Sequence, residues 1–116
     1  MPIEVTEVEL MLKRKNRLAE QRKAGDLRAA EAEKRAEAAR LRQVAASART
    51  AQVAKMRMSD AARLETEADR AAAEAARAGE RARRFGIDEE VIAVRLAHAE
   101  PSAALAETHD SGWTFI

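Results

Sequence analysis

Cysteine and tyrosine are both missing from this 116-residue chain, which also has only two prolines, four glycines, two phenylalanines and one tryptophan. Without cysteine there is no disulfide frame and no thiolate metal site. No aromatic residue lies between Met1 and Arg84 to stack on a nucleic-acid base. No run of 18 apolar residues is present, so no membrane span is expected. The opening residues Met-Pro-Ile-Glu-Val-Thr-Glu lack the basic-then-apolar pattern of a secretory signal. The resulting expectation is a soluble chain, cytoplasmic or packaged in a particle assembled in the cytoplasm.

Bulky apolar residues are also scarce. Val, Ile, Leu, Met, Phe and Trp total 25, so the 47% hydrophobic fraction is mostly alanine. A small domain this poor in large side chains is expected to depend on neighbours for burial.

Alanine and charge are what the chain has in quantity. Residues 28–84 hold 21 Ala, one Gly and no Pro, and Leu41, Val44, Val53, Met56, Met58 and Leu64 are their only large aliphatic residues. Ala, Glu, Arg, Lys and Gln have the highest helix propensities, so this stretch reads as one long helix, about 85 Å if unbroken. With 35% charged residues, the composition matches coiled coils and long helices. The expected fold class is all-α: a coiled-coil-like, alanine-rich helix over 26–85, a helical lead-in over 1–25, and short C-terminal helices over 86–116.

Punctuation sets those limits. Thr6, with Glu9 three residues on, fits a capping box, and Val8, Met11, Leu12 and Leu18 form the lead-in's apolar stripe. Ala24-Gly25-Asp26 fits a turn that folds the lead-in back, although glycine inside a continuous helix costs only about 1 kcal/mol. Gly86 fits a helix end, with Asp88 capping the next helix. The run Val91-Ile92-Ala93-Val94 suits a strand as well, but the acidic residues Asp88, Glu89 and Glu90 favour helix. Pro101 is expected to end that segment.

No clean heptad stands out in the long helix. Leu41, Val44, Ala48 and Ala51 form one seam, whereas Val53 and Leu64 lie about 120–140° round from Leu41 at 3.6 residues per turn. Two readings fit this shift near residue 52: a bend or break at Ser47–Thr50 or Ser59–Asp60, or different partners along the length. Charge is also uneven, with a balance of +6 over residues 1–85 and −5 over 86–116, a polarity that suits either antiparallel or head-to-tail contacts between copies or two different neighbours.

Catalytic and cofactor motifs do not appear. There is no phosphate loop and no nucleophile elbow, and His98 and His109 do not sit at ligand spacing. Catalytic residues, cofactors and metal ligands are therefore not expected, and the carboxylates read as salt-bridging faces. Lys13, Arg14, Lys15 and Arg17 are the best candidates for nucleic-acid contact, a reading not favoured because the basic groups of 38–59 surround their helix instead of lining it. Candidate partner-binding residues are Trp113, Phe115 and Ile116 after the flexible Gly112, Val91 and Val94, and Leu41, Val44, Val53 and Leu64 of the long helix.

The expected function is non-enzymatic: an oligomeric helical scaffold or connector in a multi-chain complex, a profile that a small bacteriophage virion or scaffolding component would fit. The alternatives are a helical adaptor that regulates an enzyme or nucleic-acid machine, and a direct nucleic-acid-binding helical protein.

Overall fold

A computed structural model describes the backbone of residues 3–110 and the side chains of residues 4–98. The chain is all-α, as its composition indicates. Helix α1 spans Ile3–Ala46 and helix α2 spans Ala51–Asp110, so every described residue outside 47–50 is helical.

The single break falls at one of the two places where the apolar stripe was expected to bend. Ser47 N donates to Gln43 O at 3.3 Å and to Val44 O at 3.2 Å, and Ala48 N donates to Ala45 O at 3.2 Å, tightening the last turn of α1. Thr50 then caps α2: its Oγ1 accepts from Val53 N at 3.2 Å, three residues into the helix. The turn contains neither glycine nor proline, so its residue types alone carried no signal. Ser59 and Asp60 lie inside α2.

The other expected boundaries are helical. Gly25 lies within α1, and no neighbour comes within 4 Å of where its Cβ would be. Gly86 lies within α2, where an added Cβ would sit 3.6 Å from Arg17 Cδ. Packing of the surrounding turns outweighs the modest helix cost of a glycine. Thr6 is a buried residue inside α1 and not its cap. The backbone also continues through Pro101 at the loss of one backbone hydrogen bond. The 28–84 stretch is therefore not one helix, and the lead-in and C-terminal segments are not separate helices.

The chain packs as two compact units. Unit 2, Glu20–Arg81, contains the turn and is an antiparallel helical hairpin. Its ion pairs record the register: Arg42 meets Glu65, Lys34 meets Glu67 at 3.2 Å, Arg35 meets Asp69 at 3.0 Å, Lys23 meets Glu74 at 3.6 Å, and Arg81 meets Glu20 at 3.2 Å. Ala61, Ala68 and Ala75 are buried at intervals of seven, with Leu64, Ala71 and Ala78 interleaved as a second, fully or half-buried row. This is a heptad seam, which the sequence reading missed. Facing it, α1 has buried or half-buried positions at Glu20, Ala24, Leu27, Glu31, Lys34, Ala38, Leu41 and Ala45, spaced alternately by four and three.

Unit 1 consists of the chain up to Ala19 and from Ala82. Here α1 contributes Thr6, Leu10, Lys13 and Arg17, and α2 contributes Ala82, Phe85, Glu89 and Ile92, again at heptad spacing. Among the described residues no large side chain is fully buried, and seven of the eight buried hydrophobic residues are alanine.

Two substitutions test this packing. Gly25→Ala is expected to stabilise the chain by about 0.5–1 kcal/mol in chemical denaturation, because position 25 is helical and open. A loss of stability would return the turn to residues 24–26. Ala68 is 0% exposed, so Ala68→Leu is expected to destabilise by about 1–3 kcal/mol despite its greater hydrophobicity. A more stable Ala68→Leu variant would mean that the seam has room to spare.

Candidate functional site

The structure places the basic cluster first. In unit 1, Lys13 Nζ lies 3.2 Å from Asp88 Oδ2 and 5.6 Å from the centre of the Phe85 ring, within cation–π range. Arg14 Nε reaches Glu89 Oε1 at 3.4 Å; Arg17 Nε donates to Glu89 Oε2, and Arg17 Nη2 lies 3.4 Å from Oε1. Glu89 is 9% exposed, so its carboxylate leaves water and is held by two guanidinium groups. Three of the four residues considered for nucleic-acid contact are thus turned towards acidic side chains of α2. Lys15 is the exception: it is exposed and makes no ion pair among the described residues. The opposite charge balances of the two chain segments meet within the chain here.

Long cations lie along the seam because alanine leaves them room. Lys13, Arg14, Arg17, Lys23, Lys34, Arg35 and Arg42 of α1 all pair with acids of α2, whereas Arg81 of α2 pairs with Glu20 of α1. The aliphatic stems cover the short alanine methyls while the charged heads extend to the acids beyond them.

The large apolar side chains are elsewhere. Val5, Val8, Met11, Leu12 and Leu18 are all exposed, Met11 by 67%. At 3.6 residues per turn they point about 110–170° away from the centre of the α1 seam formed by Thr6, Leu10, Lys13 and Arg17. Ile87, Val91 and Val94 are likewise exposed and lie about 140–180° from the α2 seam. Each helix of unit 1 therefore has an inner seam, where Leu10, Phe85 and Ile92 lie among small, polar and charged residues, and an outer stripe of bulky apolar ones.

Of the partner-binding candidates, Val91 and Val94 belong to the outer stripe of α2. In unit 2, Val44 and Val53 are exposed on either side of the turn, together with Met56 and Met58, whereas Leu41 and Leu64 are half-buried members of the hairpin seam. Trp113, Phe115 and Ile116 lie outside the described residues. Sequence reasoning did find the Val8–Met11–Leu12–Leu18 stripe, but not that it faces outward. Ile87 was missed; its spacing of four and three to Val91 and Val94 was the available signal.

The depression in unit 1 lined by Glu9, Lys13, Asp88, Val91, Ile92 and Arg95 is a charged furrow along the helix pair. No group of three or more potential metal ligands occurs among the described residues, and no described helix is long and apolar enough to cross a membrane. Compared with protein-family models, curated proteins and solved structures, the chain gives no significant match.

Ion pairing sets the response of unit 2 to pH. Arg28 and Arg35 hold the Glu31 carboxyl below its ordinary value of 4.5, Arg42 does the same for Glu65, and Arg77 and Arg81 for Glu74. A carboxylate with a lowered folded-state pKa stabilises the fold fully above its ordinary value, and that stability is lost as pH falls through the lowered one. The urea midpoint is therefore expected to hold from pH 7 down to about 5.5 and to drop below about 4.5. A midpoint that stayed level to pH 2 would show that these pairs contribute nothing to the fold.

Proposed function

We propose that this chain is a non-enzymatic assembly module, a helical connector that joins a multi-chain complex by presenting outer apolar stripes to other protein surfaces. One observation carries the reading: in unit 1 each helix carries a stripe of bulky apolar residues, Val5, Val8, Met11, Leu12 and Leu18 on α1 and Ile87, Val91 and Val94 on α2, that faces away from the seam holding the unit together. Burying a Val, Leu, Ile or Met side chain contributes about 1.5–3 kcal/mol, and the inner seam leaves most of that unused. Helices with apolar faces on two sides are accommodated when neighbours pack on both.

The alternative of direct nucleic-acid binding is disfavoured by the pairing of Lys13, Arg14 and Arg17 with Asp88 and Glu89. A bacteriophage virion or scaffolding role remains one setting in which such a module would work. A helical adaptor would use the same stripes on an enzyme or nucleic-acid machine.

The test is a triple substitution, Ile87→Gln, Val91→Gln and Val94→Gln, in the full chain produced in its own cells. Circular dichroism and melting of the purified variant are expected to match the parent, because the three residues are exposed. Native gel electrophoresis of the cell extract is expected to shift the chain from a large complex to its free form. An unchanged complex would remove the α2 stripe from the proposal, and a collapse in helix content would show that the stripe supports the chain's own fold.

A further inference from the structure

The partner of the α1 stripe can be specified further, as a deepening of the connector reading on which it rests. We infer that the face formed by Val5, Val8, Met11, Leu12 and Leu18 docks against the same face of a second copy of this chain, with the two α1 segments antiparallel.

Charge along the stripe selects both occupant and direction. Glu4 and Lys15 are exposed, make no ion pair among the described residues, and sit on the same outward face as the apolar residues. The series Glu4, Val8, Met11, Lys15 and Leu18 is spaced by four, three, four and three, which is the repeat of a helix–helix seam. Its acid is at one end and its base towards the other. Two copies placed antiparallel about a two-fold axis near Met11 and Leu12 bring Val5 opposite Leu18 and Val8 opposite Lys15. In that register Glu4 of each copy flanks Lys15 of the other. A parallel pair would set Glu4 against Glu4 and Lys15 against Lys15, which is unfavourable. Such an interface is isologous: the one surface is used twice and the assembly closes at two chains.

The face also differs from the others on offer. The α2 stripe of Ile87, Val91 and Val94 is flanked by Arg83, Arg84 and Glu90, but Arg83 and Arg84 are already engaged within the chain. Near the turn, Val44, Val53, Met56 and Met58 do not form one continuous row at helical spacing. An acid and a base that make no ion pair among the described residues, set in one continuous apolar row, are thus the mark of the α1 stripe.

Sedimentation equilibrium of the purified full chain tests this between about 1 and 200 μM. The expected mass is that of two chains at the upper end, and Val8→Glu with Leu12→Glu is expected to return it to one chain at all concentrations, with the circular dichroism of the parent dimer retained. Glu4→Lys and Lys15→Glu are each expected to weaken the dimer at least tenfold, and the two together to restore it, because the reversed pairs re-form across the axis. Cysteine chemistry gives an independent reading, since the chain has no native thiol. Met11→Cys is expected to cross-link to itself on oxidation, and Val5→Cys to cross-link to Leu18→Cys but not to itself.

A single-chain mass throughout would overturn the dimer while leaving the α2-stripe test of the connector reading intact. Growth beyond two chains, or self-linking at Val5→Cys, would overturn the antiparallel arrangement. Loss of helix in the Val8→Glu, Leu12→Glu variant would overturn it too, by assigning the stripe to the chain's own core.

Discussion

The shortness of the alanine side chain at the α2 seam is the constraint on which the rest of the structure depends. Ala61, Ala68 and Ala75 in unit 2, and Ala82 in unit 1, present only a methyl group at positions where a coiled coil normally carries leucine or valine. The opposing helix can therefore place glutamate, lysine and arginine at its own seam positions, as at Glu20, Glu31 and Lys34. In unit 1 it places Lys13 and Arg17 there. Their stems occupy the space the methyls leave, and their charged ends continue to partners beyond the seam. Dispersion and apolar burial per turn are smaller than in a leucine seam, and the ion pairs add register more than free energy.

Register follows from which helix carries which sign. Cations come almost entirely from α1 and their acids from α2, so sliding one helix on the other sets these cations against different neighbours. Glu89 is the strictest point. A buried carboxylate between Arg14 and Arg17 is tolerated only while both stay in place, because an unpaired buried charge is costly. The same arrangement occupies the basic cluster and leaves the outer stripes as the accessible feature of unit 1. The function proposed for the chain follows from that distribution: seams with few bulky residues hold the helices together, and the exposed bulky stripes are the surfaces proposed to meet other proteins.

Much of the fold was legible in the residues, for a local reason. The all-helical state and the irregularity near residue 52 can both be read from propensity and spacing. The shift of the apolar stripe between Leu41 and Leu64 located the turn at Ser47–Thr50 as one of two possible breaks, without choosing it over Ser59–Asp60. The heptad went unseen because alanine is both the commonest exposed helix former here and the seam residue. A pattern in alanine has little contrast, and its only trace was the absence of charge at 61, 68, 75 and 82. The α1 seam was hidden more thoroughly, since a lysine or arginine laid along it looks like a solvated residue in sequence. Gly25 and Gly86 misled in the opposite direction, because a cost of about 1 kcal/mol is small beside the packing of neighbouring turns.

What the amino-acid sequence determined alone is that the backbone is helical and the chain thinly supplied with bulky apolar groups. Both are sums over single residues, and neither depends on what lies nearby. Which face of each helix turns inward was decided only in the tertiary structure. Taken by itself, α1 from Val5 to Leu18 has an apolar side and a charged side, and an isolated amphipathic helix would be expected to bury the apolar one. It instead turns Lys13, Arg14 and Arg17 towards Asp88 and Glu89, residues more than seventy positions away along the chain, because paired charges over alanine can be enclosed where unpaired ones cannot.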